Sequence, residues 1–261
     1  MSALDQVFAS CREENRAALV AYLPAGYPDM GGSIRAVRAV VDAGADIVEV
    51  GVPYTDPLMD GPVIQSAAEQ ALAGGFRFAQ LLGCVRAVAE AGAVPVVMSY
   101  WNPVLRYGVE RFAADLAEAG GAGLITPDLI PDEAGPWRAA AQEHGVDPIF
   151  LVAPSSTDAR LQMTVQACRG FVYVASTMGV TGVRGTVSDS ATTLVERTRR
   201  VTDLPLCVGL GVSTGEQAAQ VAGYADGVIV GSALVKALGE DPTGAALHAL
   251  TAELAAGVRA R

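Results

Sequence analysis

The sequence has only two histidines, His144 and His248, and its four cysteines (Cys11, Cys84, Cys168, Cys207) are scattered without a C-x-x-C pair. That scarcity argues against a zinc centre and against a disulfide framework. Basic residues are outnumbered by acidic ones, 18 to 28, and no basic cluster interrupts a net charge of −10. Nucleic acid and anionic membrane surfaces are therefore poor partners. A phosphate remains acceptable, because backbone N–H groups bind it without Lys or Arg. No apolar run reaches the ~18 residues of a membrane span. The first residues lack the basic stretch and apolar core of a signal peptide, so a reduced, cytoplasmic protein is expected. Also missing are a Walker loop, an early G-x-G-x-x-G and any nucleophile–His–acid pattern. Neither a metal nor a cofactor is expected.

What is present is regular. At 51% hydrophobic and 18% charged residues, the composition is that of a globular rather than a disordered chain. A helix-like segment followed by Gly and a short β-branched run recurs around Gly44, Gly92, Gly120, Gly145 and Gly223, where each Gly suits the left-handed position past a helix end. Strands are predicted over Ala17–Leu23, Asp46–Val50, Val94–Met98, Ala122–Ile125, Asp147–Val152, Gly170–Ala175, Leu204–Val208 and Gly227–Val230. Helical segments separate them; Ser33–Ala43, for example, carries Ile34, Val37, Val40 and Val41 at helical spacing. Eight alternating units in about 250 residues predict a closed (β/α)8 TIM barrel. An extra helix is expected at the N-terminus (Ala3–Asn15), and additional helix between Val63 and Ala91. No linker divides the chain, so residues 1–261 read as a single domain.

Three stretches carry candidate chemistry. The first runs from an apolar strand into Gly51-Val52-Pro53-Tyr54-Thr55-Asp56-Pro57-Leu58-Met59-Asp60-Gly61-Pro62. Glu49 shares a strand face with Ile47, and an ionised carboxylate there is costly without a partner or a role. No Lys or Arg lies between Arg38 and Arg77. At a strand end of a barrel, Glu49 reads as a general acid/base with a raised pKa, against the alternative of a carboxylate paired with a cation from elsewhere. Asp60 and Asp56 read equally as acids and as turn formers beside Pro and Gly.

The second stretch pairs Gly209-Leu210-Gly211 with Gly231-Ser232-Ala233, after the last two strands. Barrels commonly bind phosphate there, on glycine backbone and a helix N-terminus. The alternative is two tight turns, with Ser213 and Glu216 as a capping box. The third is Ser176-Thr177-Met178-Gly179-Val180-Thr181-Gly182, extending to Ser188, which reads either as a lid or as an ordinary surface loop. Tyr100 and Tyr173 close two strands, each as a core tyrosine with its hydroxyl at the rim. His144 and His248 sit in helices and read as structural.

The stretch Val48–Pro62 resembles the signature of the tryptophan synthase alpha chain family, roughly E-[LIV]-G-[VI]-P-[FY]-[ST]-D-P-x-x-D-G-P. The resemblance extends through Gly26-Tyr27-Pro28-Asp29, Ser99-Tyr100-Trp101-Asn102-Pro103, Pro127-Asp128-Leu129, Gly179-Val180-Thr181-Gly182, Gly209-Leu210-Gly211 and Gly231-Ser232-Ala233. It implies a lyase that splits indole-3-glycerol phosphate into indole and glyceraldehyde 3-phosphate. Glu49 matches the acid that protonates the indole carbon, and Asp60 the carboxylate that pairs with the indole N–H. Tyr22, Tyr100, Tyr173 and Thr181 match substrate-contacting positions, and Gly182, Gly211, Gly231 and Ser232 the phosphate cradle. The family also implies a β-chain partner in an α2β2 complex, contacted through loops 51–62 and 176–188 and Asp128. The chain departs from many members at Thr177-Met178, at Leu210 and at Tyr22, where a Phe is common. Other readings are a stand-alone indole-3-glycerol phosphate lyase, a non-catalytic activator of a β chain, and a sugar-phosphate isomerase on the same barrel.

Overall fold

The computed structural model describes residues 1–175, 189–209, 211–241 and 243–260. Thr181 and Gly182, with Thr177, Met178 and Leu210, lie outside the described residues. The strands are β1 (Ala18–Pro24), β2 (Ile47–Gly51), β3 (Val94–Met98), β4 (Gly123–Ile125), β5 (Asp147–Ile149), β6 (Leu151–Val152), β7 (Val172–Ala175), β8 (Leu206–Gly209) and β9 (Gly227–Val230). They lie in the order β5-β4-β3-β2-β1-β9-β8-β7-β6 and pair in parallel. The two edge strands are halves of one stretch, interrupted only at Phe150. The Thr126 N–H donates to the Ile149 carbonyl (3.3 Å) on one side, and the Tyr173 N–H to the Phe150 carbonyl (3.1 Å) on the other. Segment 147–152 thus closes the sheet, and the nine strands are the eight staves of a TIM barrel.

Strand alternation sorts the apolar side chains into two layers. Ala18, Val20, Ile47, Val96, Ile149, Tyr173, Cys207 and Ile229 fill one core. The intervening Leu19, Ala21, Val48, Val50, Val97, Val172 and Val208 form the other with the helices. Outside the sheet lie α2 (Met30–Asp42), α3 (Pro62–Ala73), α4 (Leu81–Ala91), α5 (Trp101–Tyr107), α6 (Val109–Glu118), α7 (Gly135–His144), α8 (Asp158–Ala167), α9 (Asp189–Arg199), α10 (Gly215–Ala222), α11 (Ser232–Glu240) and α12 (Ala245–Arg259). The N-terminal α1 (Ala3–Glu13) places Leu4, Phe8 and Cys11 in the inner core, where Phe8 meets Phe171 edge-on at 5.9 Å. A capping box between Ser2 and Asp5 starts that helix.

Four of the five punctuating glycines take positive φ, at Gly44, Gly92, Gly120 and Gly145. Gly223 does not: it stays right-handed at φ −63°, so there the helix ends without a left-handed residue. The extra helix before β3 is present as α3 and α4, joined through a 3-10 turn at Phe78–Gln80. Between β3 and β4 the helix expected before Gly120 is α6, and a further short helix, α5, precedes it. Gly108 separates those two helices at φ 102°, a left-handed value that glycine tolerates at no steric cost.

Candidate active site

Glu49 lies on the inward face of β2, in register with Tyr22 of β1 and Val96 of β3. It is 1% exposed, and its Oε2 has no hydrogen-bond partner among the described residues. Among the described residues no Arg or Lys pairs with it, so the ion-pair alternative finds no partner there. Burial pushes its carboxyl up to about 8, and the nearby Asp60 charge adds to the rise. Glu49 is therefore a protonated acid near neutral pH.

Asp60 sits on the loop between β2 and α3. Burial raises its pKa, while a hydrogen bond donated by the Tyr100 hydroxyl (3.0 Å to Oδ1) opposes the rise by favouring the ionised form. The same hydroxyl accepts the N–H groups of Leu58 (3.0 Å) and Met59 (3.1 Å). Gln65 of α3 donates to the Asp60 carbonyl at 2.8 Å, which ties the loop to the helix that follows. Asp60 is thus more than a turn former. Its carboxylate is directed to Tyr100 and not back to its own backbone.

Tyr22 and Tyr173 complete the inner wall at 8% and 7% exposure. Burial drives both hydroxyls well above 10, and the Asp60 and Glu49 charges push in the same direction. Both hydroxyls therefore stay protonated. Two glycines make room for them. A Cβ on Gly51 would collide with the Tyr22 hydroxyl and ring, and one on Gly209 would come within 2.6 Å of the Tyr173 hydroxyl. The sequence reading gave Gly51 and Gly209 no such role. The available signal was their spacing, two residues beyond the inward Glu49 and Cys207 on their own strands.

Gly231 follows β9 and precedes α11, whose first residue is the buried Ser232. No described side chain caps that helix, so its first N–H groups are open to an anion. Gly231 also lies against the Tyr22 ring, where a Cβ would sit 3.2 Å from Cδ1. One tyrosine therefore touches both the strand that carries Glu49 and this helix start. Gly211 holds φ 73°. The capping box of the alternative reading, Ser213 with Glu216, is not formed: Thr214 is the N-cap of α10, and the Ser213 N–H and hydroxyl both bond Gln217 Oε1. The structure brings Glu49, Asp60, Tyr22, Tyr100 and Tyr173 together and sets Gly231 and Ser232 beside them. The histidines stand apart on the surface, His144 paired with Glu110 and His248 with Asp42. Among the described residues, ligand atoms spaced for a cation occur at Glu110, Glu143 and His144, on helices that carry none of these groups.

An uncharged carboxyl on a fixed strand, with a second carboxylate on the next loop at the C-terminal mouth of a parallel barrel, is an arrangement suited to proton transfer, and the fold is that of a (β/α)8 enzyme. A family model described as tryptophan synthase alpha chain matches residues 8–258. The chain belongs to the tryptophan synthase alpha chain family and is accordingly a carbon–carbon lyase. It is 64% identical to the alpha chain of Mycobacterium avium (strain 104) over 260 residues, covering 100% of this chain and 96% of that one. With the alpha chain of Nocardia farcinica it shares 62% over 258 residues, 99% and 96% of the two chains. A solved structure of Mycobacterium tuberculosis tryptophan synthase superposes with a TM-score of 0.95 at 63% identity, covering 99% of this chain and 98% of that chain. The alpha subunit from Legionella pneumophila str. Paris superposes with a TM-score of 0.89 at 32% identity, covering 99% and 98%. Among the described residues no helix is long and apolar enough to cross a membrane.

Proposed function

We propose that residues 1–261 act as one barrel domain that cleaves indole-3-glycerol phosphate by a retro-aldol step, with Glu49 as the acid. The observation that carries the reading is the buried, uncharged Glu49 carboxyl beside Asp60. Indole is a poor carbanion leaving group, so its side-chain-bearing carbon must be protonated before the bond breaks. Glu49 supplies that proton, and Asp60 accepts the indole N–H and stabilises the cationic ring. Glu49, now ionised, or a neighbouring group takes the proton of the adjacent glycerol hydroxyl. The carbon–carbon bonding pair returns to the ring, the hydroxyl oxygen becomes the aldehyde carbonyl, and indole and glyceraldehyde 3-phosphate are released. One proton is gained at carbon and one lost from oxygen, so the step balances.

Tyr22, Tyr100 and Tyr173 wall the indole end. Gly182, Gly211, Gly231 and Ser232 hold the phosphate, in keeping with the uncapped start of α11. Thr181 meets Asp60 on lid closure. The partner is a tryptophan synthase β chain in an α2β2 complex in the cytoplasm. Exposed Leu58, Leu105 and Ile130 support docking at this rim, since they follow the neighbouring strands β2, β3 and β4 at the same end of the barrel.

The test is indole release from indole-3-glycerol phosphate, with and without a β chain. Glu49→Gln is expected to abolish release while glycerol 3-phosphate still binds. Persistent turnover in that variant would remove Glu49 from the acid role. High turnover without any β chain would favour a stand-alone lyase.

A further inference from the structure

The Tyr100 hydroxyl has one proton to donate and two lone pairs to offer. All three are used: it donates to Asp60 Oδ1 (3.0 Å) and accepts the N–H groups of Leu58 (3.0 Å) and Met59 (3.1 Å). The hydroxyl is thus saturated by three consecutive residues of one loop and has nothing left for a substrate. Its own position is fixed from the other side. Tyr100 is the N-cap residue of α5, the buried Ser99 hydroxyl donates to the Tyr100 carbonyl (2.8 Å), and the Trp101 N–H donates to both oxygens of Asp128 (2.9 and 3.1 Å). The Tyr100 ring is 5% exposed and packs against Tyr54 with centroids 5.2 Å apart.

We propose that Tyr100 is a positioning residue: its hydroxyl hangs the 58–60 loop from the end of β3 and fixes Asp60 over Glu49. The inference rests on the role given to Asp60 in the proposed lyase reaction. It differs from a substrate-contacting role, in which the hydroxyl would bond the substrate and its loss would weaken binding. Here the loss acts on Asp60. The titratable groups that face Asp60 among the described residues are Glu49 on β2, Tyr22 on β1, Tyr173 on β7 and Tyr100 itself. Of these, Tyr100 is the one that donates a hydrogen bond to it. That bond favours the ionised carboxylate, so its removal moves Asp60 protonation to higher pH.

The experiment compares Tyr100→Phe and Asp60→Asn with the parent chain by residue-resolved amide hydrogen exchange and by turnover. Tyr100→Phe removes the acceptor of two backbone N–H groups. Exchange at Leu58 and Met59 should rise by about tenfold while the β-strand amides keep their protection. Asp60→Asn leaves that acceptor in place, so Leu58 and Met59 stay protected although turnover is lost. In Tyr100→Phe, kcat should fall by about tenfold or more with KM little changed. The acid limb of the kcat profile should move up by ~0.5 pH unit or more. Unchanged exchange at Leu58 and Met59 would overturn the proposal. So would a rise spread equally over the strands, or a higher KM with kcat and the acid limb unmoved. The exchange arm does not need substrate: absence of indole release from the parent chain would count against the lyase reading, and protection at these two amides would still decide whether Tyr100 holds the loop.

Discussion

The Asp60 carboxylate raises the proton affinity of Glu49, adding to the effect of burial and bringing the Glu49 carboxyl to about 8. The two groups divide the work because their surroundings differ. Among the described residues Glu49 has no hydrogen bond at Oε2, whereas Asp60 receives one from Tyr100, which favours its ionised form.

The first prediction concerns that coupling. Replacing Asp60 with Asn removes a nearby negative charge, which makes ionisation of Glu49 easier and lowers its pKa. Carboxyl-labelled NMR of Glu49 should give a midpoint near 8 in the parent chain and a lower one in Asp60→Asn. An unchanged or higher midpoint would mean that burial alone sets the value.

Stability should carry the same signature. The folded-state pKa of Glu49 is raised from 4.5 to about 8, so its contribution to stability is intact below pH 4.5 and is lost as pH rises through the folded value. Across that window the loss accrues at up to about 1.4 kcal/mol per pH unit. Glu49→Gln has no such penalty. In urea titrations it should gain on the parent chain as pH rises from 5 to 8, and the gap should close again in acid. A pH-independent difference would contradict a buried, proton-binding Glu49.

Much of this architecture was legible in the sequence, because strand, helix and turn chemistry agree locally. Three strands run straight into a glycine, at Gly51, Gly209 and Gly231, and most punctuating glycines are left-handed. Glu49 was legible for a physical reason: a carboxylate on an apolar strand with no basic residue nearby in sequence is anomalous. Asp60 was not, since Asp before Gly-Pro also suits a turn, and its distinction comes from Tyr100, 40 residues away. Gly51 reads in sequence as a loop residue and Gly209 as part of a phosphate loop or a tight turn, because the ring each accommodates arrives from another strand. Packing across strands has no local sequence signal. The helix ending before Gly120 is legible as α6, whereas the separate short α5 is not, because Trp101–Tyr107 is only seven residues long and contains Pro103.

Gly51 supplies a third prediction, with a built-in contrast. A Cβ there would collide with the Tyr22 hydroxyl and ring, on backbone that a neighbouring strand holds in register. Gly51→Ala should cost about 1–3 kcal/mol by overpacking and slow indole release by displacing Tyr22. Gly83 lies within α4, and a Cβ there meets nothing within 4 Å. Gly83→Ala should instead stabilise by roughly 0.5–1 kcal/mol, as alanine does in a helix interior, with activity unchanged. Chemical denaturation and turnover on the two variants check both signs.

The end of the barrel away from the acids should behave differently. Arg16, just before β1, meets Asp46, just before β2, through two bonds of 2.9 Å, and Asp46 also accepts the Leu19 N–H at 2.8 Å. The side chains are only 9% and 12% exposed; Arg16 also meets Glu14, but removing Arg16 leaves Asp46 charged, poorly hydrated and with no cation partner among the described residues. Arg16→Met should therefore cost about 3–5 kcal/mol. Replacing both residues with apolar side chains of similar size should recover much of that, because the desolvation cost of the charges disappears together with their attraction. This pair ties strand starts together and touches none of the groups at the mouth. At temperatures where Arg16→Met is still folded, its kcat and KM for indole release should match the parent chain. A loss of kcat without a loss of stability would show that the two ends of the barrel are coupled, contrary to the separation of stability and chemistry expected of this fold.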